Sequence, residues 1–181
     1  MKVYLIGYMC CGKSTLGKKL AKRLNYNFLD LDQLFEETYK ISIPNFFEKY
    51  GEKAFRSLEQ EILYSTANIY DAVIATGGGT PCFGDNMAWI NKNGLSVYLK
   101  QKDCFIIDRL KKTKKQRPLV KNIPENEIAA YVCNAIQQRE VYYNESNIIL
   151  NDTEIDLSSI VLSINDVIMH NKTTLSTKFK S

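Results

Sequence analysis

The chain has one histidine, four prolines and only five arginines against nineteen lysines, and each scarcity excludes something. The lone histidine, His170, lies beside the C-terminal tail, so acid–base work in any active site falls to a carboxylate. Five cysteines (Cys10, Cys11, Cys82, Cys104, Cys133) are an odd number without C-x-x-C spacing. That pattern suggests neither a disulfide framework nor a zinc site, and it predicts reduced thiols. No apolar run approaches the roughly 20 residues of a membrane span. The N-terminal apolar run leads straight into a glycine loop, so no signal peptide is expected and the expected compartment is the cytoplasm. A net charge of +4, concentrated in residues 111–121 and the tail, makes a weak case for nucleic acid. Where lysine is the default cation, an arginine marks a place that needs a planar, bidentate donor. Arg23 closes the first helix as a solvated charge. Arg56, Arg109, Arg117 and Arg139 are the candidates that remain.

What is present is organised around residues 7–15, Gly-Tyr-Met-Cys-Cys-Gly-Lys-Ser-Thr, which match the phosphate-loop pattern G-x-x-x-x-G-K-S/T at every fixed position. The apolar run 3–6 predicts a buried strand before it, and Leu16, Leu20, Ala21 and Leu24 predict a helix over 15–24 after it. Backbone N–H groups at such a helix start suit phosphate. Lys13 supplies a mobile charge for the β and γ phosphates, and Ser14 is a ligand for Mg²⁺. The pattern thus predicts nucleotide contacts from Cys10, Cys11, Gly12, Lys13, Ser14 and Thr15.

Strands are further expected at 27–31, 71–75, 96–99 and 147–150, with helices at 33–39, 42–69 (broken near Tyr50-Gly51), 85–92, 102–110, 125–143 and 156–169. Strict alternation of strands and helices predicts one α/β domain whose parallel sheet is covered on both faces. The second strand ends in Asp30-Leu31-Asp32, and alternation sends both acids to one side, toward the phosphate-loop crevice. The plainer alternative is that one of them, Asp32 in particular, caps the following helix. Arg56 lies near Glu52 and Glu59 at helical spacing, so a surface ion pair competes with a binding role. Gly77-Gly78-Gly79 at a strand end allows a ligand or another backbone to approach closely; a flexible turn is the alternative. Residues 111–124 read as a mobile basic loop in which Pro118-Leu119 fixes Arg117, and residues 172–181 read as a flexible tail.

A phosphate loop does not identify the acceptor. If the acceptor is a hydroxyl, Asp30 or Asp32 is the available base; Asp32 could reach substrate while Asp30 orders Mg²⁺ through its waters. Lys13, Mg²⁺ and a closing Arg117 would neutralise the spreading charge. Arg56 and Arg139 would form a fork for a carboxylate if the fold brings them together.

Taken together, the phosphate loop, the Asp30–Asp32 pair, Gly51-Glu52 followed by Phe55-Arg56 and Glu59, the triple glycine, Arg117-Pro118-Leu119, and Arg139 with Tyr142 resemble the shikimate kinase family over about residues 1–150. The resemblance implies a three-layer α/β sandwich with a five-stranded parallel sheet, a P-loop NTPase of the nucleoside monophosphate kinase type with a lid at about 111–124. It implies ATP- and Mg²⁺-dependent phosphorylation of the 3-hydroxyl of shikimate, by a cytoplasmic protein expected to be a monomer without nucleic-acid or membrane partners. Lys13, Asp32 and Arg117 would be catalytic, and Asp32, Arg56, Gly78, Gly79 and Arg139 would bind shikimate. Arg109 would lie against adenine, Arg117 on the phosphates, and Ser14 with Asp30 at the metal. Cys10 stands where the family usually has glycine, which together with Cys11 predicts oxidant-sensitive activity. Rival readings are a gluconate or nucleoside monophosphate kinase, and a non-catalytic nucleotide-binding regulator that uses residues 111–121 on nucleic acid.

Overall fold

A computed structural model describes residues 1–113, 120, 123–151 and 156–178, with the backbone alone for 113 and 168–178. Runs rich in Val, Ile, Leu and Tyr form the parallel strands β1 (Lys2–Ile6), β2 (Asn27–Asp30), β3 (Ala72–Ala75), β4 (Leu95–Lys100) and β5 (Ile148–Asn151). Their order in the sheet is β2-β3-β1-β4-β5. Every residue of β1 and β3 is buried, as a parallel sheet covered on both faces requires. The cover is α1 (Lys13–Leu24), α2 (Leu31–Tyr39), α3 (Ile43–Ser65), α4 (Asn86–Asn93), α5 (Asp103–Thr113), α6 (Ile128–Tyr143) and α7 (Leu157–Lys178). The expected five-stranded, three-layer architecture is therefore the one present.

Strand order decides where a ligand can sit. Because β3 lies between β1 and β2, the turns that follow β1 and β3 come side by side at the carboxyl edge, where open α/β sheets bind ligands. Thr76, just past β3, fastens them: its N–H and Oγ1 both donate to the Leu5 carbonyl, at 3.2 and 3.0 Å.

Several boundaries differ from expectation. β2 stops at Asp30 and Asp32 belongs to α2, because the Asp30 carboxylate caps that helix by accepting from the Asp32 N–H. α5 continues through Thr113, so Lys111 and Lys112 are helical, in the last turn, where basic side chains complement the helix dipole. α7 runs to Lys178, through most of the segment expected as a tail, since no glycine or proline follows Asn151 to stop it. Most of the expected lid, including Arg117, lies outside the described residues; Val120 within it is fully buried.

The expected break in α3 is present at Gly51, with φ 77 and ψ 173. Only glycine occupies that region without strain. A Cβ there would meet no atom within 4 Å, so the cost of Gly51→Ala is purely conformational. It is expected to be about 1–3 kcal/mol, read as a lower urea midpoint at unchanged slope. A loss under about 0.5 kcal/mol would show that the break is not required.

Candidate active site

Three successive features of the sequence build the nucleotide side. Gly12, at φ 104, turns the chain into α1 without a side-chain cap, so the first-turn N–H groups are left for an anion. Lys13 is buried and folds back on the loop, its Nζ donating to the carbonyls of Gly7 (2.7 Å) and Tyr8 (2.9 Å) and lying 3.7 Å from Cys11 Sγ. Ser14 Oγ donates to Asp30 Oδ2 at 2.5 Å, while Asp30 Oδ1 receives the Asp32 N–H at 3.1 Å. One carboxylate thus caps α2 and ties it to the phosphate loop. These groups open on a cavity of about 460 Å³ that Thr15, Arg109 and Lys112 also line. Arg109 lies over the Phe105 ring at 4.2 Å, with Nη1 3.4 Å from the Cys10 carbonyl. Cys10 adopts φ 65, unusual for a residue with a side chain. Cys11, expected among the nucleotide contacts, is buried, and its N–H is spent on the Tyr8 carbonyl.

A second cavity of about 370 Å³ adjoins the first, and Met9, Ser14, Asp30, Asp32 and Gly78 line both. Asp32, Arg56 and Arg139 line it from α2, α3 and α6, with Phe47 and Phe55 as an apolar wall. Arg56 is the more firmly held of the two arginines. Its Nη1 donates to Glu59 (2.7 Å), and Nε and Nη2 donate to Glu52 (3.3 and 3.0 Å). Burial opposes its charge, but the carboxylates of Glu59 and Glu52 outweigh burial and its pKa rises. The ion pair considered as a surface alternative is in fact nearly buried: the Arg56 side chain is 11% exposed and that of Glu59 4%. Of five guanidinium N–H groups, three are spent, leaving one on each terminal nitrogen.

The triple glycine has steric reasons within the protein. A Cβ on Gly79 would lie 2.5–2.6 Å from the Arg56 guanidinium, and one on Gly78 would lie 3.0 Å from the Met9 N–H nitrogen. The turn is therefore pressed between the Arg56 guanidinium and the phosphate loop. Its Gly78 carbonyl accepts from Tyr143 Oη at 2.5 Å and from Arg139 Nη1 at 3.4 Å. Cys82, one turn on, senses both arginines. Burial pushes its thiol up to about 11, opposed by Arg139 and Arg56 and reinforced by Glu59.

Sequence reasoning brought Lys13, Ser14, Asp30, Asp32, Arg56, Arg109, Arg139 and the glycines to this edge, and the structure gathers them there. It missed the depth of Glu59, which also accepts from Thr80 Oγ1 at 2.7 Å. It also chose Tyr142 where Tyr143 is the buried partner of the site. Helical spacing alone does not separate them, because Tyr142 and Tyr143 stand three and four residues beyond Arg139 and both lie near its helix face; burial decides.

A phosphate loop, an acid after β2 and an adjoining polar cavity on a five-stranded parallel sheet define a P-loop kinase of the nucleoside monophosphate kinase type. The sequence model of the family described as shikimate kinase matches residues 9–169. The chain is 39% identical over 155 residues to the shikimate kinase of Phocaeicola vulgatus, covering 86% of this chain and 89% of that one. It superimposes on the crystal structure of shikimate kinase from Bacteroides thetaiotaomicron with a TM-score of 0.83 at 34% identity, covering 93% and 98% of the two chains. Shikimate kinase from Acinetobacter baumannii in complex with shikimate gives a TM-score of 0.83 at 28% identity, covering 94% of each. The chain belongs to the shikimate kinase family.

Proposed function

We propose that this protein transfers the γ-phosphoryl group of ATP to the 3-hydroxyl of shikimate, forming shikimate 3-phosphate on the route to chorismate and the aromatic amino acids. The observation that carries the reading is the convergence of Asp32, Arg56 and Arg139 on one cavity that shares a wall with the phosphate-loop cavity. The two terminal N–H groups left on Arg56 supply donors for a carboxylate, and Arg139 would close on it from α6. Asp32, on the shared wall, is placed to take the proton of a hydroxyl that faces the nucleotide. Lys13 exchanges two neutral carbonyl partners for phosphate oxygens, with Arg117 as its counterpart from the segment after α5. Arg109 and Lys112 flank the nucleotide cavity. Ser14 and Asp30 offer hard oxygen donors of the kind Mg²⁺ takes. Among the described residues no cluster of three His, Cys, Asp or Glu suggests any other metal. When bound, Mg²⁺ supplies neutralisation of the phosphate charge and a template for transfer. Cytoplasmic, monomeric operation belongs to the same proposal and rests on the family likeness.

The test is an ADP-release assay with Mg²⁺ and ATP across shikimate, gluconate, AMP and CMP. Turnover with shikimate alone is expected; turnover with a nucleotide or gluconate but not shikimate would overturn the reading. Arg56→Lys is expected to raise KM for shikimate roughly tenfold or more, because an ammonium keeps the charge but cannot serve Glu59, Glu52 and a carboxylate in one plane. An unaltered KM would remove Arg56 from the carboxylate site.

A further inference from the structure

The two arginines of the acceptor cavity are held in opposite ways. Arg56 is fixed by two carboxylates. Arg139 has no carboxylate within ion-pair distance among the described residues. Its guanidinium makes a long bond, 3.4 Å to the Gly78 carbonyl, beside the Tyr143 hydroxyl that shares this acceptor and interacts with it, and lies 5.1 Å over the centre of the Tyr8 ring. A four-atom arm near the end of α6 has many rotamers, and a long hydrogen bond with a hydroxyl neighbour fixes the plane of its guanidinium less firmly than two carboxylates fix that of Arg56. The Tyr8 ring is fully packed, so it offers a fixed, desolvated face for a planar cation.

The hydroxyl of the same residue shows which part of it is used. Tyr8 Oη is buried and has no hydrogen-bond partner among the described residues. A buried hydroxyl without a partner costs stability, so the phenol oxygen is not what the position gains from. The ring face is. Tyr8 is also part of the phosphate loop, and its carbonyl receives Lys13 Nζ at 2.9 Å. One residue therefore touches the lysine of the nucleotide side through its backbone and the arginine of the acceptor side through its ring.

We propose that Tyr8 is a positioning residue for the acceptor: its ring seats Arg139 so that the guanidinium meets the substrate carboxylate already aimed. The proposal rests on the reading that Arg139 binds that carboxylate. The pairing also explains why Arg139 can do without an acidic partner. A carboxylate beside it would compete with the substrate's own, whereas a ring face holds the cation and leaves its in-plane N–H groups free for a ligand.

The test is steady-state kinetics of the full chain with Mg²⁺, ATP and either shikimate or its methyl ester, for wild type, Tyr8→Leu, Tyr8→Phe and Arg139→Ala. Tyr8→Leu is expected to raise KM for shikimate about three- to thirtyfold, the usual span for loss of a cation–π contact, with kcat and KM for ATP within about twofold. KM for the ester, which lacks the anionic carboxylate, should be the same in Tyr8→Leu as in wild type. Tyr8→Phe, which keeps the ring and sheds the unpartnered hydroxyl, should restore the wild-type KM. If Tyr8→Leu does not fold, Tyr8→Met supplies a flexible side chain without a ring face. A shikimate KM unchanged by Tyr8→Leu, where Arg139→Ala raises it, overturns the role of Tyr8 and leaves the functional reading standing. A shikimate KM unchanged by Arg139→Ala overturns the reading beneath it. Equal losses in kcat and both KM values, or a Tyr8→Phe as impaired as Tyr8→Leu, would assign Tyr8 to loop integrity and sink the proposal.

Discussion

Lys13→Ala is expected to lower kcat by roughly 10³-fold or more, with a much smaller change in thermal stability. The asymmetry follows from where the ammonium rests. Its partners are the Gly7 and Tyr8 carbonyls, on a loop that borders the nucleotide cavity. Water entering from that cavity can satisfy the two acceptors once the lysine is gone, so folding loses little. Phosphoryl transfer loses more, because charge spreads over the transferring group and a preorganised cation in a water-poor site acts most strongly there. The measurement is kcat and KM for ATP beside a melting curve. Activity within tenfold of wild type would count against the whole assignment.

Asp32→Asn is expected to reduce kcat by about 10²- to 10⁴-fold, the usual worth of a positioned base, while nucleotide affinity is retained. The substitution is nearly isosteric and leaves the Ser14–Asp30 bond in place. Asp32 also sits in the first turn of α2, where a carboxylate favours the helix dipole. Its loss there should cost only about 0.3–1 kcal/mol, too little to explain a catalytic collapse. Calorimetric ATP binding, kcat and Tm measured together separate the two effects. A near-normal kcat would place the base elsewhere, and Asp30 is a poor substitute because Ser14 and the α2 cap already claim it.

How much of this was legible in the sequence depended on the range of the interactions. The β1-loop-α1 unit is specified by contiguous residues and could be read whole. Both acids of the Asp30–Asp32 segment face the crevice as expected, but the strand was extended too far; the Asp30 carboxylate, accepting from the Asp32 N–H two residues on, ended it first. The reach of α7 was underestimated through a polar composition that holds no helix breaker. Glu59 was visible as a helical neighbour of Arg56, but its burial depends on Thr80, twenty-one residues away, and no local pattern encodes that. The meeting of Arg56 and Arg139 depends on strand order, which periodicity does not supply.

The five residues common to the two cavities carry an obligation that binding measurements can expose. Two molecules resting on the same groups, Asp32 and Gly78 among them, have a direct route by which each can alter the affinity of the other. Whatever factor a nucleotide imposes on the dissociation constant of the sugar-like acid, the acid must return to the nucleotide by linkage. Titrating either in the presence of saturating partner should give the same ratio from both directions.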